Sequence, residues 1–118
     1  MTTYKDLEVY KRSYRLAIEM HQLSLAFPGY LQFDLGDQCR RASRSIPSGI
    51  AEGYSRNQSK KDTIVFLKRA LGSVDEILFN LEFLHDLHLI TEEKYKYFLD
   101  EYTICGKQLT NLIRSLLK

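Results

Sequence analysis

Apolar positions recur every three to four residues in four stretches of the chain, the pattern of amphipathic helices, and no stretch alternates with the period of a strand. The first predicted helix runs from about Tyr4 to Phe27, with Leu7, Tyr10, Tyr14, Ala17, Ile18, His21 and Leu25 on one stripe, and Pro28-Gly29 ends it. The second starts at Asp34, a good N-cap, and reaches about Tyr54 with Leu35, Cys39, Ala42, Ile46, Gly49, Ile50 and Gly53 inward. Its Pro47 removes a backbone donor and crowds the Ser43 carbonyl, so a kink is expected. Gly49 and Gly53 each cost about 1 kcal/mol against alanine in a helix. Small residues at Ser45, Gly49 and Gly53, on adjacent turns, predict close approach of a neighbouring helix.

The third helix is predicted after Ser59, whose spacing to Asp62 suits a capping box, and runs to about Leu87. Phe66, Ala70, Val74, Ile77, Leu81, Leu84 and His88 form its core seam. A second apolar line, Val65, Gly72 and Phe79 with Phe83 one turn on and Leu87 at the margin, lies opposite that seam and would face water in a monomer. The fourth helix begins at Thr91, with Glu92 and Glu93 at the positive end of the dipole, and reaches about Leu117. Tyr95, Phe98, Leu99, Tyr102, Cys105, Leu109, Leu112, Ile113 and Leu116 make its stripe. Short connections between four such helices predict an all-α, antiparallel up-down-up-down four-helix bundle, one domain over residues 1–118.

Composition agrees with a folded globular chain, 44% apolar and 27% charged. No apolar run nears the roughly 20 residues of a membrane span and the start lacks a signal-peptide apolar stretch, so the expected location is cytoplasmic, without membrane partners. Cys39 and Cys105 sit among apolar neighbours as small buried thiols. Charge is uneven: residues 34–69 hold eight Arg/Lys against four Asp/Glu, and residues 70–101 hold two Lys against eight acids.

Three functional classes can be weighed. Catalysis has little support, for no phosphate loop, nucleophile elbow or dinucleotide fingerprint occurs. Glu82 and His85 have the Glu-x-x-His spacing of di-iron bundles, but the second copy that such sites need is missing. His85 with His88 is better explained by packing than by a metal, and His21 by a place at the core edge; no cofactor, metal or catalytic residue is expected. Nucleic-acid binding has a candidate surface: Arg40 and Arg44 one turn apart opposite the core stripe, and Arg56, Lys60 and Lys61 around the turn into the third helix, where the dipole already supplies positive potential. The alternative is a solvated basic face or ion pairs with Asp37, Asp62, Asp75 and Glu76. Arg41, at the core margin with Glu52, suits an interhelical ion pair. A protein scaffold is the third class, in which Val65, Gly72, Phe79 and Phe83 form an oligomer interface.

QCRRASRSIPSGIAEGYSR, from Gln38 to Arg56, and FLKRALGSVDE, from Phe66 to Glu76, resemble the four-helix-bundle, ribosomal protein-like family encoded in intervening sequences of bacterial large-subunit rRNA genes. That family includes the accessory variability protein of diversity-generating retroelements. Leu7 with Tyr10 and Phe27-Pro28 extend the resemblance over nearly the whole chain; Gly49 stands where the family usually has asparagine, and Tyr10 where it has tryptophan. The resemblance implies a homopentameric barrel without catalytic residues. For the retroelement members it implies a basic surface contacting RNA or DNA and a reverse transcriptase. The matching positions here are Arg40, Arg41 and Arg44, with Arg56 beside them. The expected function is therefore a non-catalytic oligomeric adaptor associated with nucleic acid, the alternative being a scaffold that binds protein alone.

Overall fold

In a computed structural model that describes residues 3–118, four helices account for most of the chain: α1 Glu8–Leu25, α2 Leu35–Gly53, α3 Lys60–Asp86 and α4 Glu92–Leu117. Single 3-10 turns at Tyr4–Asp6 and Gly29–Leu31 precede α1 and α2, and no strand occurs among the described residues. Each helix packs on its two neighbours, α1 on α2 and α4, α3 on α2 and α4, and the diagonal pairs do not meet. The result is the antiparallel bundle that the short connections predict, 43 Å along its longest axis.

Local chemistry sets the helix ends. Ser59 accepts from the Asp62 amide at 3.1 Å while the Asp62 carboxylate accepts from the Ser59 amide at 3.4 Å, a complete capping box. Thr91 accepts from the Lys94 amide at 3.1 Å. Asp34 holds the N-cap position of α2, but its side chain makes no capping hydrogen bond. At the other end of α3, His88 takes a left-handed conformation (φ 59°) and the Leu89 amide donates back to the Leu84 carbonyl at 3.0 Å. His88 thus lies beyond the helix and is exposed, not the last member of the core seam. Leu67, not Phe66, is the buried residue one turn before Ala70; Phe66 is half-buried under the Arg69 guanidinium, 5.3 Å from its ring centre.

Leu16, Met20, Ile46, Ile50, Leu67, Ile77, Leu81, Leu84, Tyr102 and Leu109 are fully enclosed, with Cys39 and Cys105 as free thiols among them. The small residues of α2 do what their spacing predicts. A Cβ on Gly49 would stand 3.4 Å from that of Ala70, and one on Gly53 only 3.1 Å from that of Phe66. Ser45 donates to Ser73 at 2.5 Å, and the Thr63 hydroxyl donates to the Gly53 carbonyl at 2.6 Å, so the α2–α3 seam is both close and hydrogen-bonded.

The α1 stripe differs from expectation. The buried line is Val9, Ser13, Leu16, Met20 and Ser24, continued by Phe27, whereas Tyr14, Ile18, His21 and Leu25 are exposed; Leu7 and Tyr10 pack at the core edge. Two serines disguise the true stripe as polar. Each removes its own penalty by bonding to the preceding turn, Ser13 to the Tyr10 carbonyl at 3.2 Å and Ser24 to that of His21 at 2.7 Å.

Candidate subunit and nucleic-acid interfaces

The second apolar line of α3 stands in water, as its spacing predicts. Phe79 is 67% exposed and Phe83 48%, their rings stacked with centroids 6.4 Å apart; Val65 and Leu87 continue the strip. A Cβ on Gly72 would meet nothing within 4 Å. Asp75, Glu76, Glu82 and Asp86 are exposed and each is one helical turn from Phe79 or Phe83. The strip therefore has an apolar crest and an acidic rim.

The arginines of α2 are not equivalent. Arg40, predicted opposite the core, instead reaches back to the α1–α2 connection, donating to the Ser24 hydroxyl at 2.9 Å, the Gln32 side-chain oxygen at 3.0 Å and the Gln32 carbonyl at 2.6 Å. Gln32 in turn donates to the carbonyls of Ser24 and Phe27, so this guanidinium closes a network that fixes the connection. Gly36 makes room for it, since a Cβ there would lie 3.2 Å from Nη1 of Arg40. Arg41 makes no interhelical ion pair among the described residues: it is exposed and lies 3.6 Å from Asp37, one turn earlier on its own helix. Arg44 is exposed and has no ion-pair partner among the described residues. Between these arginines and the exposed face of α1 runs a groove of about 350 Å³, with Tyr14, Ala17, Ile18 and Pro47 along it.

Arg56, Lys60 and Lys61 are exposed at the α2–α3 turn, and no acid is paired with them among the described residues. Asp62, the carboxylate nearest Lys60 and Lys61 in sequence, is engaged in the capping box. They do not join Arg44, which lies nine residues up α2 from Gly53, about 14 Å at the helical rise. The antiparallel order instead brings to their end of the bundle the start of α1 and the close of α4, with Lys5, Arg114 and Lys118. Asp34, Asp37, Asp86, Glu92 and Glu93 collect at the opposite end, so the molecule is electrically polarised along its axis.

One ionic cluster was not foreseen from the sequence. Arg12 and Arg15 of α1 both engage Glu101 of α4, Arg12 at 2.9 Å; Arg15 also donates to the Tyr97 hydroxyl at 2.5 Å, and that hydroxyl donates to Glu19 at 2.6 Å. Burial would raise the Glu101 carboxyl, but the Arg15 hydrogen bond and the charges of Arg12 and Arg15 outweigh it and hold the group below the usual glutamate range. These two arginines are therefore committed within the bundle. His85 lies against Tyr95, ring centroids 4.0 Å apart, with Glu92 2.5 Å from Nε2. No group of three or more His, Cys, Asp or Glu side chains is placed to hold a metal among the described residues, and no helix is long and apolar enough to cross a membrane. Burial pushes both thiols up to about 12, a raised value that keeps them protonated at neutral pH.

The same bundle has been solved before. A crystal structure of a protein of unknown function from the S23 ribosomal protein family of Bacteroides thetaiotaomicron superposes with a TM-score of 0.81, covering 93% of this chain and 98% of that one at 29% identity. No curated protein matches the chain significantly. A model of the 23S rRNA-intervening sequence protein family matches residues 5–111, nearly the whole length, and the chain therefore belongs to that family.

Proposed function

We propose that this protein is a non-catalytic cytoplasmic adaptor that assembles into a homo-oligomer, a pentameric ring by its family resemblance, and holds structured nucleic acid on the basic end of the bundle. The carrying observation is the exposed strip of α3. Val65, Phe79 and Phe83 are 41%, 67% and 48% exposed, so covering them with another subunit is worth roughly 1–2 kcal/mol each, about half the value of full burial. Assembly then multiplies the weak charge of one chain: Arg56, Lys60 and Lys61, repeated on every subunit at the same end, make a multivalent phosphate-binding rim. The family description, which ties these proteins to sequences within 23S rRNA genes, makes RNA the first ligand to test.

The test has two readouts. Light scattering at micromolar concentration should return a multiple of the 13.8 kDa chain mass, and Phe79→Ser with Phe83→Ser should reduce it to one chain. Fluorescence anisotropy on a structured rRNA fragment should show affinity falling steeply with salt, and Arg56→Glu, Lys60→Glu and Lys61→Glu together should flatten that slope by about three charges per bound subunit while leaving the mass unchanged. A chain that is monomeric at every concentration removes the assembly. Absence of binding at low salt removes the nucleic-acid role.

A further inference from the structure

We infer that the ladder of Tyr4, Tyr10 and Tyr14 at the start of the chain is a stacking surface for unpaired bases, so that the nucleic acid held on the basic end of the bundle is one with a single-stranded segment. The inference rests on the nucleic-acid reading proposed above and names the form of the ligand. It needs no contact between subunits.

The three rings touch one another along one side of the molecule. Tyr4, on the 3-10 turn that packs against α1 and α2, meets Tyr10 edge to face with centroids 5.1 Å apart, and Tyr10 lies 5.9 Å from Tyr14 at a tilt of 34°. Tyr4 and Tyr10 are half-buried, whereas Tyr14 is 53% exposed and lines the α1–α2 groove with Ile18, Arg44 and Pro47. Antiparallel order sets the start of α1 beside the close of α2. The ladder therefore climbs from that groove to the end of the bundle that carries Lys5, Arg56, Lys60 and Lys61.

The surroundings of the ladder are cationic or neutral. Lys11, three residues before Tyr14 and so on the same face of α1, is exposed with no acid paired to it among the described residues, and Arg44 is exposed across the groove. Ser48 and Ala51 carry that side of α2 onward without a charge. The nearby acids are placed elsewhere. Asp6 accepts from the Thr3 amide at 3.2 Å in the cap of the 3-10 turn, and Glu8 lines the α1–α4 groove beside Gln108. Glu52 continues the line of Ser45 and Gly49, which faces α3. Exposed rings with cations spaced beside them answer both features of a single strand, its flat bases and its phosphates. A duplex keeps its bases stacked inside and could use the charges alone.

The experiment measures fluorescence anisotropy of the full chain with two RNA hairpins that differ in one respect: one carries an unpaired oligoadenylate tail, the other a tail of equal length without bases. Both tails bring the same phosphates, so a difference in affinity reports the bases. Wild type should bind the adenylate tail about tenfold more tightly. Tyr14→Ala should bring it down to the abasic one and leave the affinity and salt slope of the abasic probe unchanged; Tyr14→Phe should behave as wild type, because the ring stacks and not the hydroxyl. Tyr14 is half-exposed, and circular dichroism reads whether the bundle remains folded. The chain has eight tyrosines and no tryptophan, so the adenylate tail should also quench tyrosine emission more than the abasic one, a readout that needs no substitution. Equal affinity for the two probes, or a loss of both by the same factor in Tyr14→Ala, would overturn the inference while phosphate binding at Arg56, Lys60 and Lys61 stands. An adenylate advantage that survives in Tyr14→Ala would overturn it too, since the bases would then stack elsewhere. A chain that binds neither probe at low salt would overturn both readings.

Discussion

Removal of the Arg40 guanidinium separates a structural role from a ligand-binding one. In Arg40→Ala three charge-assisted hydrogen bonds disappear, at 2.9, 3.0 and 2.6 Å, and the Gln32 side-chain oxygen and carbonyl lose their donor. A hydrogen bond to a charged group is worth about 1.5–3 kcal/mol where water is excluded. This site is only partly enclosed and the three bonds share one group, so water recovers part of the loss and the sum is not additive. The expected cost is about 2–3 kcal/mol, which at a urea slope of about 1–2 kcal/mol/M for a chain of this size moves the unfolding midpoint by roughly 1–3 M. Arg44→Ala removes an equally cationic, exposed side chain with no ion-pair partner among the described residues and should stay within about 0.5 kcal/mol. Urea titrations followed by circular dichroism at one fixed protein concentration, so that assembly contributes equally, give both numbers. Equal shifts in the two variants would refute the assignment of Arg40 to the α1–α2 connection. Arg40→Lys should recover little, because one ammonium cannot reproduce a fork that spans Ser24 and Gln32.

Three further outcomes follow from the packing and the titration shifts. Gly49→Ala places its Cβ at ordinary contact distance, 3.4 Å from Ala70, and should stabilise by about 0.5–1 kcal/mol through helix propensity, whereas Gly53→Ala, at 3.1 Å from Phe66 on the last residue of α2, should destabilise by about 1 kcal/mol; thermal melts that move both variants the same way would contradict this. Glu101 has a depressed pKa in the folded state, so its contribution is present above the usual glutamate range and is lost as pH falls through the folded value; Glu101→Gln should be less stable than wild type at pH 7, with the gap closing in acid, and a gap independent of pH would remove the Arg15 pairing as its cause. Cys39 and Cys105, raised to about 12 by burial, should resist a thiol reagent at pH 8 until urea exposes both, and rapid labelling of the native chain would show that the core opens there.

Helix ends and the α2–α3 seam were legible because their chemistry is local. Ser59 with Asp62, Thr91 and the Ser45-Gly49-Gly53 series all act within one or two turns, the range over which spacing is informative. Long side chains defeat that logic. Arg40 is on the side of α2 that carries the buried Gly36, Ser43 and Pro47, a line whose small members hide it from the apolar pattern, and its guanidinium reaches a connection eight residues earlier, a destination that depends on the path of the loop and on the missing side chain at Gly36. Arg41 shows the reverse: a position at the core margin suggested an interhelical partner, yet the nearer Asp37 on its own helix takes it. The ionic cluster on Glu101 joins residues more than 80 positions apart and could be seen only once α1 and α4 were side by side. The basic end of the bundle likewise comes from antiparallel order, which unites Lys5, Lys60 and Arg114 from distant parts of the chain.

The misplaced stripe of α1 has a physical cause that bears on binding. A helix with one partner surface shows one apolar line; α1 shows two, because Tyr14 and Ile18 repeat with helical spacing opposite a core line partly built from serines. The two lines should respond differently to substitution. Leu16→Ala or Met20→Ala removes fully enclosed side chains and should cost about 2–5 kcal/mol of bundle stability at any protein concentration. Tyr14→Lys with Ile18→Lys changes half-exposed residues on the arginine-lined groove, and should leave the stability of the dilute chain within about 0.5 kcal/mol of wild type. If the lysine pair instead lowers stability as far as the core variants do, Tyr14 and Ile18 belong to the monomer's own packing, and α1 carries no free surface for a ligand.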